Sequence, residues 1–163
     1  MNRQQILLAL SLREADLGIK VATFDDRLIL QKAVCLLQYD GVNLAYRFRW
    51  HLRGPYSSEL ASDAFFLAAH RTLLDEELKA WKLDEQSKAR INQIKDLFSG
   101  LEVRALVKRL ELLASILFMV RTGQAKPDDW KPIDDLLKIN GKQFTETHIK
   151  EALATLSQYG FIH

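Results

Sequence analysis

Four side chains stand out for the chemistry they could do together: Arg47, Arg49, His51 and Arg53. They alternate with Tyr46, Phe48, Trp50 and Leu52, so the ten residues 44–53 follow a period of two. In an extended chain alternate side chains share a face at spacings of about 6–7 Å. The spacing therefore predicts a strand with a basic outer ridge, its back anchored to a core by Tyr46, Phe48, Trp50 and Leu52. No acidic residue lies between Gly41 and Ser58 to neutralise it. A guanidinium grips carboxylate or phosphate with two parallel hydrogen bonds. An acidic protein surface and a nucleic-acid backbone are thus both suitable guests, and a charged ridge also keeps a strand edge from aggregating.

The next residues, Gly54-Pro55-Tyr56-Ser57, end the alternation. Pro55 fixes φ, Gly54 permits a close approach, and Ser57 or Ser58 can cap a helix running from Glu59 to about Arg71. Gly54, Pro55 and Ser57 are read as a structural turn, with Tyr56 beside the ridge as part of a partner surface. Upstream, Gln31 and Lys32 sit on an otherwise apolar helix over 24–39. Pinned against the Gly-Pro turn, they would satisfy its carbonyls, which is a structural role.

Catalytic signatures are scarce. The histidines at 51, 70, 148 and 163 are scattered, with no helical pair at the spacing of a metal site. There is no Gly-rich phosphate loop, no Gly-x-Ser-x-Gly and no His-Glu-x-x-His. Cys35, the single cysteine, lies in an apolar stretch and reads as an inert core thiol. The expectation is a chain that is not an enzyme and has no cofactor or metal.

These features need elements to hold them. The 163 residues are 48% apolar, enough for one buried core. Lysine and arginine number 23 against 21 acids, a net charge of +2, which argues against a bulk polyelectrolyte mechanism. The charge is uneven, net +3 over residues 1–56 and net −1 beyond. A lone cysteine fits a reducing, cytoplasmic setting. The apolar block at 6–12 is followed by acids rather than a cleavage site, and residues 3–16 read as an amphipathic helix. The run at 112–120 is too short for a membrane span, which takes about 20 residues.

Helical periodicity recurs at 24–39, with Asp25 or Asp26 capping it, and at 85–98. Ser99 and Glu102 suggest a capping box for a buried helix ending near Arg121. Helices over 130–139 and from Thr145 to Gly160 follow. Residues 73–83 are expected to supply a second strand through Leu78, Ala80 and Leu83, since a lone strand leaves its backbone unpaired. The fold class predicted for residues 1–163 is mainly α, a single helical domain with a small two-stranded β element. The short helices and the closing helix-Gly-apolar pattern also suggest a winged-helix-like arrangement.

Two stretches carry a family resemblance. Arg27-Leu28-Ile29-Leu30-Gln31-Lys32 followed by Leu36-Leu37, and later Gly54-Pro55-Tyr56-Ser57-Ser58-Glu59-Leu60, give the order LQK helix, strand, GPYS turn, helix within residues 24–71. This order resembles the YwgA-like family and, more distantly, the Panacea domain of SocA-type antitoxins. The resemblance covers about residues 24–67. It implies a small helical protein without established catalysis, often encoded near mobile or defence elements. SocA-type relatives act by binding proteins, neutralising a toxin or presenting one to a protease. An antitoxin-like or adaptor-like module with a toxin or effector as partner is the expectation. The alternative is a winged-helix transcriptional regulator in which the 144–159 helix enters a DNA groove.

Overall fold

A computed structural model describes residues 1–163. Eight α-helices and one β-hairpin follow in the order α1 (Arg3–Glu14), α2 (Phe24–Tyr39), β1 (Arg49–His51), β2 (Gly54–Tyr56), α3 (Ser58–Ala69), α4 (Arg71–Leu78), α5 (Glu85–Ile94), α6 (Val103–Arg121), α7 (Trp130–Ile139) and α8 (Glu146–Gln158). A 3₁₀ turn, Lys95–Phe98, extends α5. The architecture is mainly α with a two-stranded antiparallel sheet.

Two helices organise the rest. α2 buries an unbroken run from Leu30 to Leu37, and α6 buries everything from Leu110 to Met119. Helices apolar on nearly all sides belong in the middle of a domain, and these two pack directly on each other. α1 packs on α3, α4 and α5, while α8 bridges α6 and α7. The hairpin rests on α2 and α6 through β2. A single cluster of 40 buried apolar residues joins these parts, so there is one core and one domain. No helix is long and apolar enough to cross a membrane.

Several boundaries differ from those the sequence suggests. The expected strand over 44–53 contracts to Arg49–His51. Ala45 adopts φ +61°, which takes the chain out of the extended region ahead of the ladder. The second strand is not in 73–83 but is the Gly54–Tyr56 segment itself, with Arg49 opposite Tyr56, Trp50 opposite Pro55 and His51 opposite Gly54. Residues 71–78 are helical because Leu74 and Leu78, four apart, are both buried on one side.

Two caps also differ. Thr23 caps α2 and accepts from Asp26 N, while Asp26 Oδ2 accepts from Thr23 N in return. Asp26 is thus the third helical residue of a capping box rather than the cap. At α6 the cap position is Glu102, with no side-chain bond. Gly100, at φ +84°, turns the chain between Ser99 and the helix, so the Ser99 hydroxyl does not cap the first amides.

Candidate functional site

The hairpin is short, and two kinds of side chain brace it from below. Gln31 and Gln38 are seven residues apart on α2, on one face of the helix. Gln31 Nε2 donates to Ser57 O at 2.8 Å while its Oε1 accepts from Ser57 N at 2.9 Å. Gln38 does the same to Tyr46, at 2.7 and 2.9 Å. Each side-chain amide reproduces the donor–acceptor pair of a peptide unit, Gln31 where the chain leaves the hairpin and Gln38 in the segment that enters it, where Gln4 Nε2 also donates to Leu44 O at 2.9 Å. This is how residues 44–48 stay ordered without a ladder.

Lys32, 1% exposed, donates from Nζ to Pro55 O at 2.5 Å. Lys142, from the loop before α8, donates to Leu52 O at 3.2 Å and to Glu111 of α6 at 2.6 Å. Two buried ammonium groups thus hold the carbonyls on either side of Gly54. Gly54 itself, at φ +88°, follows the two turn residues Leu52 and Arg53. A Cβ there would lie 2.5 Å from Ser115 Oγ on α6. Only glycine lets the hairpin sit this close to the central helix. Ser57 Oγ then accepts from Leu60 N at 3.2 Å and starts α3.

Burial alternates along the segment despite the missing ladder. Val42, Leu44 and Tyr46 are buried and Phe48 and Trp50 half-buried, while Arg47, Arg49, His51 and Arg53 are exposed. Leu52 does not anchor the back of the strand as expected. It is 83% exposed, because it occupies the hairpin turn, where the alternation stops. None of the three arginines pairs with a carboxylate of the chain. His51 stacks on Tyr56 across the hairpin, ring centroids 5.1 Å apart.

Arg53 turns sideways, its guanidinium 5.8 Å from the centre of the Phe24 ring. Arg27 lies over Phe24 and Phe65, at 5.9 and 6.0 Å. Phe24 and Phe65 are half or more exposed. Sequence reasoning missed this aromatic–arginine patch. The signal was present: on α3 the inward residues are Leu60, Ala64 and Leu67, and Phe65 falls off that stripe. It also missed Glu111, a lone acid inside an apolar helix, and its partner Lys142.

No family model, curated protein or solved structure matches this chain. No group of three or more His, Cys, Asp or Glu side chains is placed to hold a metal ion. Burial pushes the Cys35 thiol up to about 12, so it stays protonated and unreactive near neutral pH. What the surface offers is unpaired cations and accessible rings on a rigid support, which suits recognition of an anionic, partly apolar partner.

The support itself titrates. Desolvation lowers the Lys32 pKa from 10.5 to about 8, against smaller opposing effects of Cys35 and Glu111. Between those values the unfolded chain holds a proton that the folded chain has released, so stability rises with pH across the window. Below pH 8 the full cost of burying the charged form is present. Lys32 alone is expected to add about 2 kcal/mol of stability between pH 8 and 10. Tyr39, pushed up to about 12 by burial, acts in the opposite direction from about pH 10 upward. Denaturant unfolding of wild type and Lys32→Met at both pH values isolates the contribution. The stability difference between the two proteins should shift by that amount in favour of wild type, and a constant difference would contradict it.

Proposed function

We propose that this chain is a non-catalytic protein-interaction module, antitoxin-like or adaptor-like, whose basic hairpin face binds an acidic protein partner. Arg47, Arg49, His51, Arg53 and Tyr56 are the contact residues. Gly54, Pro55, Ser57, Gln31 and Lys32 hold them in place. The observation that carries the reading is the set of three exposed arginines, none ion-paired within the chain, on a hairpin whose backbone is fixed from inside. Rigid placement lowers the entropy lost on binding. Arginine and aromatic rings side by side are the residue types that dominate protein interfaces. The proposal extends to kinship with YwgA-like and Panacea-domain proteins, with a toxin or effector as partner and a cytoplasmic setting suited to the free Cys35.

The winged-helix alternative has less support. α8 presents Glu146 and Glu151 beside Lys150, and Lys150 is already paired with Glu146 at 2.6 Å. A helix so nearly neutral is poorly suited to a polyanion. Affinity capture with mass spectrometry from the source cell, comparing wild type with Arg47→Glu/Arg49→Glu, tests the proposal. Wild type is expected to retain a stoichiometric partner at moderate salt and the variant to lose it. The same proteins captured by both, or a salt-sensitive gel shift of DNA at micromolar protein, would contradict it.

A further inference from the structure

A groove of about 850 Å³ lies beside the hairpin, between α6 and α8. On one wall Ala105, Lys108, Arg109 and Leu112 recur at steps of three or one along the start of α6, with Leu101 just ahead of the helix. On the other His148, Glu151, Ala152 and Thr155 recur at the same helical spacing along α8. Phe144 and the hairpin tip, Leu52 and Arg53, also line it. Two packed helices thus each turn a stripe of side chains toward one groove, a shape that accepts a third helix laid against both.

Charge and polarity narrow the guest. Arg53, Lys108 and Arg109 make no ion pair in the chain, and of the two acids at the groove Glu111 is buried and held by Lys142 at 2.6 Å. Glu151 is the one acid left free, so the rim is positive. The apolar lining is open at Leu101, 45% exposed, and at half-buried Ala105, over a floor of buried Leu112 and Ala152. Nucleic acid would use the cations but leave Leu101 and Ala105 uncovered.

We infer that this groove receives a short amphipathic helix of a partner protein, acidic on one side and apolar on the other. The guest's carboxylates meet Lys108, Arg109 and Arg53, and its apolar side covers Leu101 and Ala105. This is the helix-in-groove mode, with anchors three or four residues apart. The inference rests on the proposed function in one respect, that the partner is a protein. Arg53 lines the groove and lies on the basic face, so one partner can span both.

The test is selection from a displayed library of random 12-residue peptides, followed by anisotropy titration of the selected sequences. The expected winners carry net negative charge with Leu, Ile, Phe or Trp at steps of three or four. Lys108→Glu/Arg109→Glu should weaken them at least 30-fold, while Arg47→Glu/Arg49→Glu leaves them within about threefold. Arg109 is half-buried, so Lys108→Glu alone serves as the second variant, with at least a fivefold loss expected and an unchanged melting curve as its control. The inference is overturned by no selected binder, by neutral or basic winners, or by affinities indifferent to the Lys108 changes. Twelve-residue oligothymidylate binding more tightly than the peptides and losing that binding on Lys108→Glu would reassign the groove to single-stranded nucleic acid. Should the groove fail while Arg47→Glu/Arg49→Glu still abolishes partner capture, the hairpin reading stands without it.

Discussion

Alanine in place of Gly54 is expected to lower the stability of the protein by about 2–4 kcal/mol, from two separable causes. The first is backbone conformation. At φ +88° an L side chain is strained whatever space surrounds it, which costs about 1–2 kcal/mol. The second is contact, since the new Cβ would stand 2.5 Å from Ser115 Oγ. Ser115 lies within the buried stretch of α6, so relief requires the hairpin to lift or the helix to shift. The two causes are separable because Ser115 Oγ is buried with no hydrogen-bond partner. Ser115→Ala alone should be neutral or slightly stabilising, since it removes an unsatisfied polar atom. Combined with Gly54→Ala it should recover the contact part, leaving about 1–2 kcal/mol from backbone strain. Urea unfolding followed by circular dichroism reads all four proteins. Strict additivity of the two substitutions would show that Gly54 and Ser115 are not in conflict, and the account of the hairpin's seat would be wrong.

Breaking the Glu111–Lys142 pair should cost about as much or more. Lys142→Met leaves the Glu111 carboxylate buried and unpaired, which costs about 3–5 kcal/mol in comparable settings. The pair is 2.6 Å long and both residues are less than 10% exposed. The Leu52 carbonyl also loses its donor, but it sits at the hairpin turn beside an exposed side chain and can take water instead. The double substitution Glu111→Leu/Lys142→Met should therefore recover most of the stability, because replacing both charges removes two desolvation costs together. Chemical denaturation of the two single variants and the double completes the cycle. A double variant as unstable as Lys142→Met would mean that hydrogen bonding to the hairpin, rather than the stranded charge, is the main contribution.

These two sites show where sequence reasoning reaches and where it stops. α1, α2, α5, α6, α7 and α8 follow from apolar residues three and four apart, because a helix makes its own backbone hydrogen bonds and needs only an inward face from its surroundings. The basic ridge was legible for a related reason. Alternation reports which side chains face inward, and that survives even where Ala45 leaves the extended region. Alternation does not report what pairs with the backbone. Gly54–Tyr56 pairs with Arg49–His51 and the Gln38 amide serves Tyr46, so a second strand at 73–83 was unnecessary, and Leu74 and Leu78 are used in a helix. Leu52 was misplaced because a turn ends the alternation one residue before it. The Glu111–Lys142 pair spans 31 residues, and no local pattern links its members. The neighbourhood of Phe24, Phe65 and Arg53 likewise exists only once α2, the hairpin and α3 are assembled.

The hairpin's cations are the centre of the functional account, and a direct titration tests them. With the captured partner purified, calorimetry compares wild type and Arg47→Glu/Arg49→Glu, both shown to melt at the same temperature. Reversing two solvent-facing charges that meet carboxylates should weaken binding about 100-fold, near 2.7 kcal/mol. Wild-type affinity should itself fall as salt rises from low to physiological strength. A variant that binds as tightly as wild type, with no dependence on salt, would contradict the assignment of this face as the binding surface.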